Sequence, residues 1–286
     1  MMEPITKARL TELRPGIIAD QGMPLGLPYA TLCMTALPYR EHPLQRPWLR
    51  QYAVSTMTIE PGYLSTLQTS HSSRHQPCGI PFGARARILL LYFQREILRS
   101  GQREVERNDS FRQWLQALGI SAGGKTYRAF RQQEIRIFTC RLSFTFQGER
   151  SMGAFNEIIV EGGVSALRAD SDRFDYETII VGQSFFDSVQ NHPVPVADEA
   201  IRSLAREPFA LDLYCWLAAH LHRLDGPVTF AWPALHNYFG VAYAQPRHFR
   251  MRFLAALKSA VDNYPRAAIQ VDDTAGVTLY PSPPPR

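Results

Sequence analysis

Between Pro208 and Tyr280 the sequence sets out an order of elements that few folds can satisfy. Phe209, Leu213, Trp216, Leu217 and Leu221 recur at steps of three and four, which predicts a helix with one buried face. Pro227 to Trp232 follows as a short extended run holding Val228 and Phe230. A second helix is expected from Pro233 to Phe239, closed by Gly240 in the left-handed conformation that helix ends favour. After the loop Val241 to Gln245, Pro246 opens a third helix reaching about Asn263, with Phe249, Phe253, Leu257 and Val261 inside. Ala268 to Asp272 and Val277 to Tyr280 alternate around a Thr274-Ala275-Gly276 turn and form a hairpin. Helix, strand, helix, turn, helix, hairpin is the order of a winged helix: a helix-turn-helix carrying a β ribbon.

The third of these helices holds Arg247, His248, Arg250, Arg252 and Lys258 and no carboxylate from Arg247 to Lys258. At about 100° per residue, His248, Met251, Arg252, Ala255 and Lys258 lie broadly opposite Phe249, Phe253 and Leu257. A cationic, partly small face suits a duplex major groove, because small residues permit close approach and Arg makes paired bonds to guanine. The bland alternative is a solvated basic face. Its position in a helix-turn-helix favours the groove.

A fainter version of the same order lies upstream. Phe82 or Gly83 starts a helix through Arg99, and Glu104 to Arg107 is a short strand. Asn108, Asp109 and Ser110 offer caps to a helix with Phe111, Trp114, Leu115 and Leu118 at helical spacing. Gly119 to Gly124 is a turn, and Lys125 to about Cys140 a further helix with Lys125, Arg128, Gln132 and Arg136 on one face. Leu142, Phe144 and Phe146 alternate into a strand, Gly148 turns, and Phe155 to Val160 returns as the expected first wing. The expected fold class is therefore α+β, with tandem winged-helix domains. An N-terminal β extension comes from strands at Tyr29–Leu37 and Tyr52–Ile59, and Ser65 to Pro77 reads as a polar loop. The expected divisions are a flexible arm at 1–27, a first domain at 28–167 and a second at 168–286. Arg168 to Asp175 serves as a polar link, Tyr176 to Val181 as a strand, and Gln183 to Val189 and Asp198 to Arg206 as helices.

At 286 residues the chain is long enough for two domains. Its 31 Lys and Arg against 26 Asp and Glu leave a formal charge of +5, which favours polyanionic partners. Cys33, Cys78, Cys140 and Cys215 lie far apart, with neither metal-ligand nor disulfide spacing. The longest apolar run, Ile88 to Phe93, is too short to cross a bilayer, and the N-terminus lacks a signal-peptide core. A cytoplasmic protein with no membrane partner is expected.

The runs PFALDLYCWLAAHL from Pro208, FAWPALHNYFG from Phe230 and RHFRMRFLAALKSAVDNYP from Arg247 resemble the plasmid-encoded RepA replication initiators of bacteria. So do LPYREHP from Leu37, IEPGYL from Ile59, GIPFGARARILLLY from Gly79, FFDSVQNHPVPV from Phe185 and the ending YPSPPPR. The resemblance, carried by the order of these runs, implies binding to directly repeated sites in double-stranded origin DNA and opening of a neighbouring A·T-rich segment. It also implies recruitment of the host replication initiator and replicative helicase, and repression of the protein's own gene as a homodimer. Arg247, His248, Met251 and Arg252 are then the expected base readers of the second domain, and Lys125, Arg128, Gln132 and Arg136 of the first. Arg131 and Lys258 are expected on phosphates.

Three other classes stay open: a dedicated repressor, a protein-docking winged helix and a nucleotide hydrolase. The last rests on Gly119, Gly124, Lys125 and Thr126, which satisfy the phosphate-loop pattern. A phosphate loop needs a buried strand before its glycines, and an amphipathic helix is expected there. His71 and His75 lack further ligands nearby, and His220 and His222 are two apart on a helix and point away from each other. No catalytic constellation, metal site or cofactor site is expected, and no enzyme.

Overall fold

The computed structural model describes residues 29–51, 55–69, 72–106, 109–121, 123–147, 152–164 and 177–286. The expected arm at 1–27, the turn at Gly148 and the link from Arg168 to Asp175 lie outside them. Helices and antiparallel strands are interspersed along the chain, an α+β arrangement.

Helix α1 (Tyr29–Thr35) stands where a strand was expected, with every residue buried. A short run buried on all sides carries no period, so helix and strand look alike in sequence. Strand β2 (Ser55–Glu60) takes the place of the second expected strand, Tyr52–Ile59, and pairs antiparallel with β1 (Trp48–Gln51), which was not expected. The expected polar loop is instead a ribbon of β3 (Gly62–Thr69) and β4 (Ser72–Gly79), a two-stranded sheet of its own.

Helix α2 (Gly83–Ser100) leads to β5 (Glu104–Glu106), α3 (Asp109–Ala117) and α4 (Gly124–Thr139). Then come β6 (Arg141–Gln147), β7 (Met152–Glu157), β8 (Val160–Val164) and β9 (Thr178–Val181). The first hairpin differs from expectation. Strands β6 and β7 do pair, with Phe144 opposite Phe155, but they extend the β1-β2 sheet. The strand that joins β5 is β9, which pairs Val105 with Ile179 and also holds β8, in the order β5-β9-β8. The expected boundary after residue 167 thus falls inside one sheet, between β8 and β9.

Helices α5 (Gln183–Asn191) and α6 (Asp198–Leu204) precede α7 (Pro208–His220). Strand β10 (Val228–Phe230), α8 (Trp232–Phe239), α9 (Pro246–Asp262), β11 (Ile269–Asp272) and β12 (Gly276–Leu279) complete the described chain. Their sheet has the order β10-β12-β11, with Phe230 opposite Val277 and Ile269 opposite Leu279. In both halves, then, the short strand after the first helix pairs with the last strand of its three-stranded sheet, β9 in the first, beyond the intervening β6-β7 pair, and β12 in the second.

Helix α7 is buried all round from Phe209 to His220, not on one face as its period predicted. Trp216 meets Phe230 and Phe239 at 5.1 and 5.6 Å between ring centroids. Contacts with α1 and α2 of the first half cover the rest, and buried side chains from Tyr29 to Leu279 form one continuous core. A buried ion pair crosses this junction. Arg87 on α2 holds Asp212 on α7 through Nε and through Nη2 at 2.7 Å, both side chains being 1% exposed. Its remaining protons reach the carbonyls of Leu37 and Gly83, each at 2.9 Å, and its plane lies 5.2 Å from the Tyr39 ring. Burial works against the guanidinium charge, but Asp212 beside it holds the Arg87 pKa above its ordinary value. With every donor engaged, the pair meets the condition under which a buried charge is tolerated.

Candidate nucleic-acid interface

Helix α9 is anchored by aromatic packing on its inner side. Phe253 lies 6.0, 5.9 and 5.8 Å from Phe209, Phe239 and Trp232, and Phe249 lies 5.0 Å from His236. Those two buried rings turn Arg247, His248, Met251, Arg252, Ala255 and Lys258 outward, and all six are exposed. Lys258 pairs with Asp262 one turn on, at 2.7 Å. The turn before α9 is tied by the Gly240 carbonyl, which accepts from Tyr243 N at 2.7 Å, and by His236 Nε2, 3.1 Å from the Tyr243 carbonyl. Gly240 itself is not left-handed, contrary to expectation: φ is −94°. Space requires the glycine, since a Cβ there would lie 2.5 Å from the His236 carbonyl oxygen.

Arg250 belongs to the basic residues of this helix but not to the expected base readers. It sits on the flank of the exposed face, 4.5 Å over the Trp232 ring and ion-paired with Asp273 in the hairpin turn. Trp232 Nε1 in turn donates to the Asp272 carbonyl at 3.0 Å. The Asp272 carboxylate accepts from Ala275 N, Thr274 N and Thr274 Oγ1, each at 2.7 Å. Those hydrogen bonds hold its carboxyl at about 2, below the usual range. The hairpin turn is thereby shaped by its own residues and fastened to the start of α8. Between α8, α9 and this turn runs a groove of about 890 Å³ lined by Trp232, Pro233, Arg247, Met251, Leu254 and neighbours.

In the first half, α3 ends in a Schellman turn: Gly119 has φ +67°, and Ile120 N reaches the Leu115 carbonyl at 2.8 Å. Helix α4 then begins at Gly124. Lys125, Arg128 and Gln132 are exposed and Arg131 is half-buried, with Arg128 Nε donating locally to the Gly124 carbonyl at 3.2 Å. Arg136 departs from this face. It is buried, donates to Glu41 Oε1 at 2.7 Å and to the Ile80 carbonyl at 3.3 Å, and lies 4.7 Å over the Phe82 ring. The segments around Glu41 and Phe82 cover the last turns of α4, so Arg136 is withdrawn from the DNA-reading set.

The phosphate-loop pattern falls between two helices, α3 and α4, and no strand delivers the chain to Gly119. His220 and His222 each face the carbonyl four residues back, Trp216 and Ala218. Among the described residues, no three His, Cys, Asp or Glu side chains gather to hold a metal. Burial pushes the thiols of Cys33 and Cys215 up, and that of Cys140 up to about 12, which leaves them protonated. No described helix is long and apolar enough to cross a membrane.

A search of curated protein sequences finds no match. Among solved structures, domains 2 and 3 of RctB in selenomethionine form align with a TM-score of 0.58 at 11% identity, over 88% of this chain and 98% of that one. A second crystal structure of RctB domains 2-3 aligns with a TM-score of 0.50 at 11% identity, over 87% of this chain and 95% of that one. At that identity the likeness concerns the fold alone. Residues 80–233 match the family described as plasmid encoded RepA protein, a span from the end of β4 to the start of α8. That span is more than half of the chain, and the protein belongs to the family of plasmid-encoded RepA proteins.

Proposed function

We propose that this protein initiates plasmid replication by binding directly repeated sites in duplex origin DNA through two winged helices. The observation that carries the reading is the shared arrangement of the halves. Strand orders β5-β9-β8 and β10-β12-β11 are equivalent, and each sheet follows a helix pair whose second member, α4 or α9, exposes a cation-rich face. In a winged helix that second member enters the major groove. Arg247, His248, Met251 and Arg252 are assigned to base edges, and Lys125, Arg128 and Gln132 to the first domain's contacts. Arg131 and Lys258 are assigned to phosphates. Family membership supports origin binding, opening of adjacent duplex and recruitment of the host initiator and helicase. Repression of the protein's own gene as a dimer is the natural second activity of the same surface.

Fluorescence anisotropy on duplexes tiling the DNA beside the protein's own gene, with scrambled controls at about 0.15 M salt, tests the reading. Tight binding confined to tiles carrying direct repeats is expected, and Arg252→Ala should then lose about 1–3 kcal/mol of discrimination. Equal, weak binding to every tile rejects sequence-specific recognition. An origin-melting assay on the bound tiles separates an initiator from a dedicated repressor.

A further inference from the structure

Arg250 is the one cation of α9 engaged with the hairpin turn, and its surroundings are unusual for a residue next to a DNA-reading face. Its flank is where the sugar-phosphate backbone passes when a helix lies in the major groove, so a cation there is placed for a phosphate rather than a base. The Trp232 ring, 4.5 Å from the guanidinium, fixes its plane, and Trp232 is itself tied to the Asp272 carbonyl. What meets the guanidinium in the free protein is the Asp273 carboxylate, on a side chain 92% exposed. An acidic residue at this place is a poor neighbour for DNA and a good substitute for it.

We propose that Asp273 is an internal counter-anion that occupies the phosphate position of Arg250 and must be displaced when duplex DNA binds. The proposal rests on α9 facing DNA. Displacement is undemanding, because exposed ion pairs shift an equilibrium by no more than about fivefold. The carboxylate therefore lowers affinity for every duplex alike. It leaves sequence discrimination to Arg247, His248, Met251 and Arg252, and it limits the excess of positive charge that would hold the protein on unrelated DNA.

The test is anisotropy on a repeat-containing tile and a scrambled duplex of equal length, from about 0.1 to 0.3 M salt. Wild type, Asp273→Asn, Arg250→Ala and the double variant are compared. Asp273→Asn should tighten both duplexes by about two- to fivefold and leave the log-log salt slope unchanged, because Arg250 neutralises the same phosphate in both complexes. Arg250→Ala should lower that slope by about 0.9, and in its background Asp273→Asn should leave affinity unchanged. If Asp273→Asn tightens binding equally without Arg250, the effect is removal of a repelling charge and the counter-anion role is wrong. If Arg252→Ala loses discrimination while Asp273→Asn leaves both affinities unchanged, α9 faces DNA and only this proposal falls. If wild type binds neither duplex, both readings fall together.

Discussion

The Arg136 guanidinium is enclosed by Glu41, the Ile80 carbonyl and the Phe82 ring, so its charge is committed to the fold. Arg136→Ala strips the Ile80 carbonyl of a donor and leaves a gap under Phe82. It should cost about 1–3 kcal/mol in urea denaturation while leaving the salt slope of duplex binding unchanged. A slope that falls by about one with unaltered stability would return Arg136 to the DNA face. Nothing in the local sequence separates Arg136 from Lys125, Arg128 and Gln132, which share its helical period. The residues that cover it stand 95 and 54 positions upstream, and only tertiary packing brings them to α4. The exposed residues of α9 were legible because Phe249 and Phe253 define its inner side unambiguously. Arg250 was not, since its partners Trp232 and Asp273 come from two other elements.

Elements with a clear period were found in place: α2, α3, α4, α8, α9 and the β11-β12 hairpin lie within a residue or two of expectation. Those misread were the ones whose state is settled by partners. Helix α1 is buried on every side, and the β3-β4 ribbon is polar throughout most of its length. Strand β9 stands where a strand is expected, and only its pairing with β5, across more than seventy intervening residues, is hidden in the sequence. Helix α7 shows what the period of a buried helix conceals, for its second face is covered by α1 and α2 and holds Asp212 against Arg87. Asp212→Ala leaves that guanidinium buried without its counter-charge and should cost about 3–5 kcal/mol, whereas Arg87→Met with Asp212→Leu should cost much less. Urea midpoints of the single and paired variants decide this. A paired loss equal to the sum of the single losses would mean that the two charges do not depend on one another.

At the scale of the molecule, one continuous core joins the two helix-strand-helix-helix-hairpin units, and the Arg87–Asp212 pair lies where their first helices meet. Gln94 on α2 strengthens the joint by gripping Val194, accepting from its N at 3.0 Å and donating to its carbonyl at 2.9 Å. Units held this way present α4 and α9 in a fixed relation, so under the proposed function the DNA segments assigned to them must also keep a fixed relation. The order of elements in the second unit was readable from the sequence. The joint was not, because it is made of residues that each look ordinary on their own helix. Under the proposed function both units read one duplex together, which anisotropy on a bound repeat tests before and after about 5 bp are inserted at its centre. Half a turn of about 10 bp carries one contacted segment to the opposite side of the duplex. We expect affinity to fall toward that of a scrambled duplex and to stay low when about 10 bp are inserted, because units in a fixed relation cannot follow a segment moved about 34 Å along the axis. Binding unchanged by the half-turn insertion would contradict joint reading by α4 and α9.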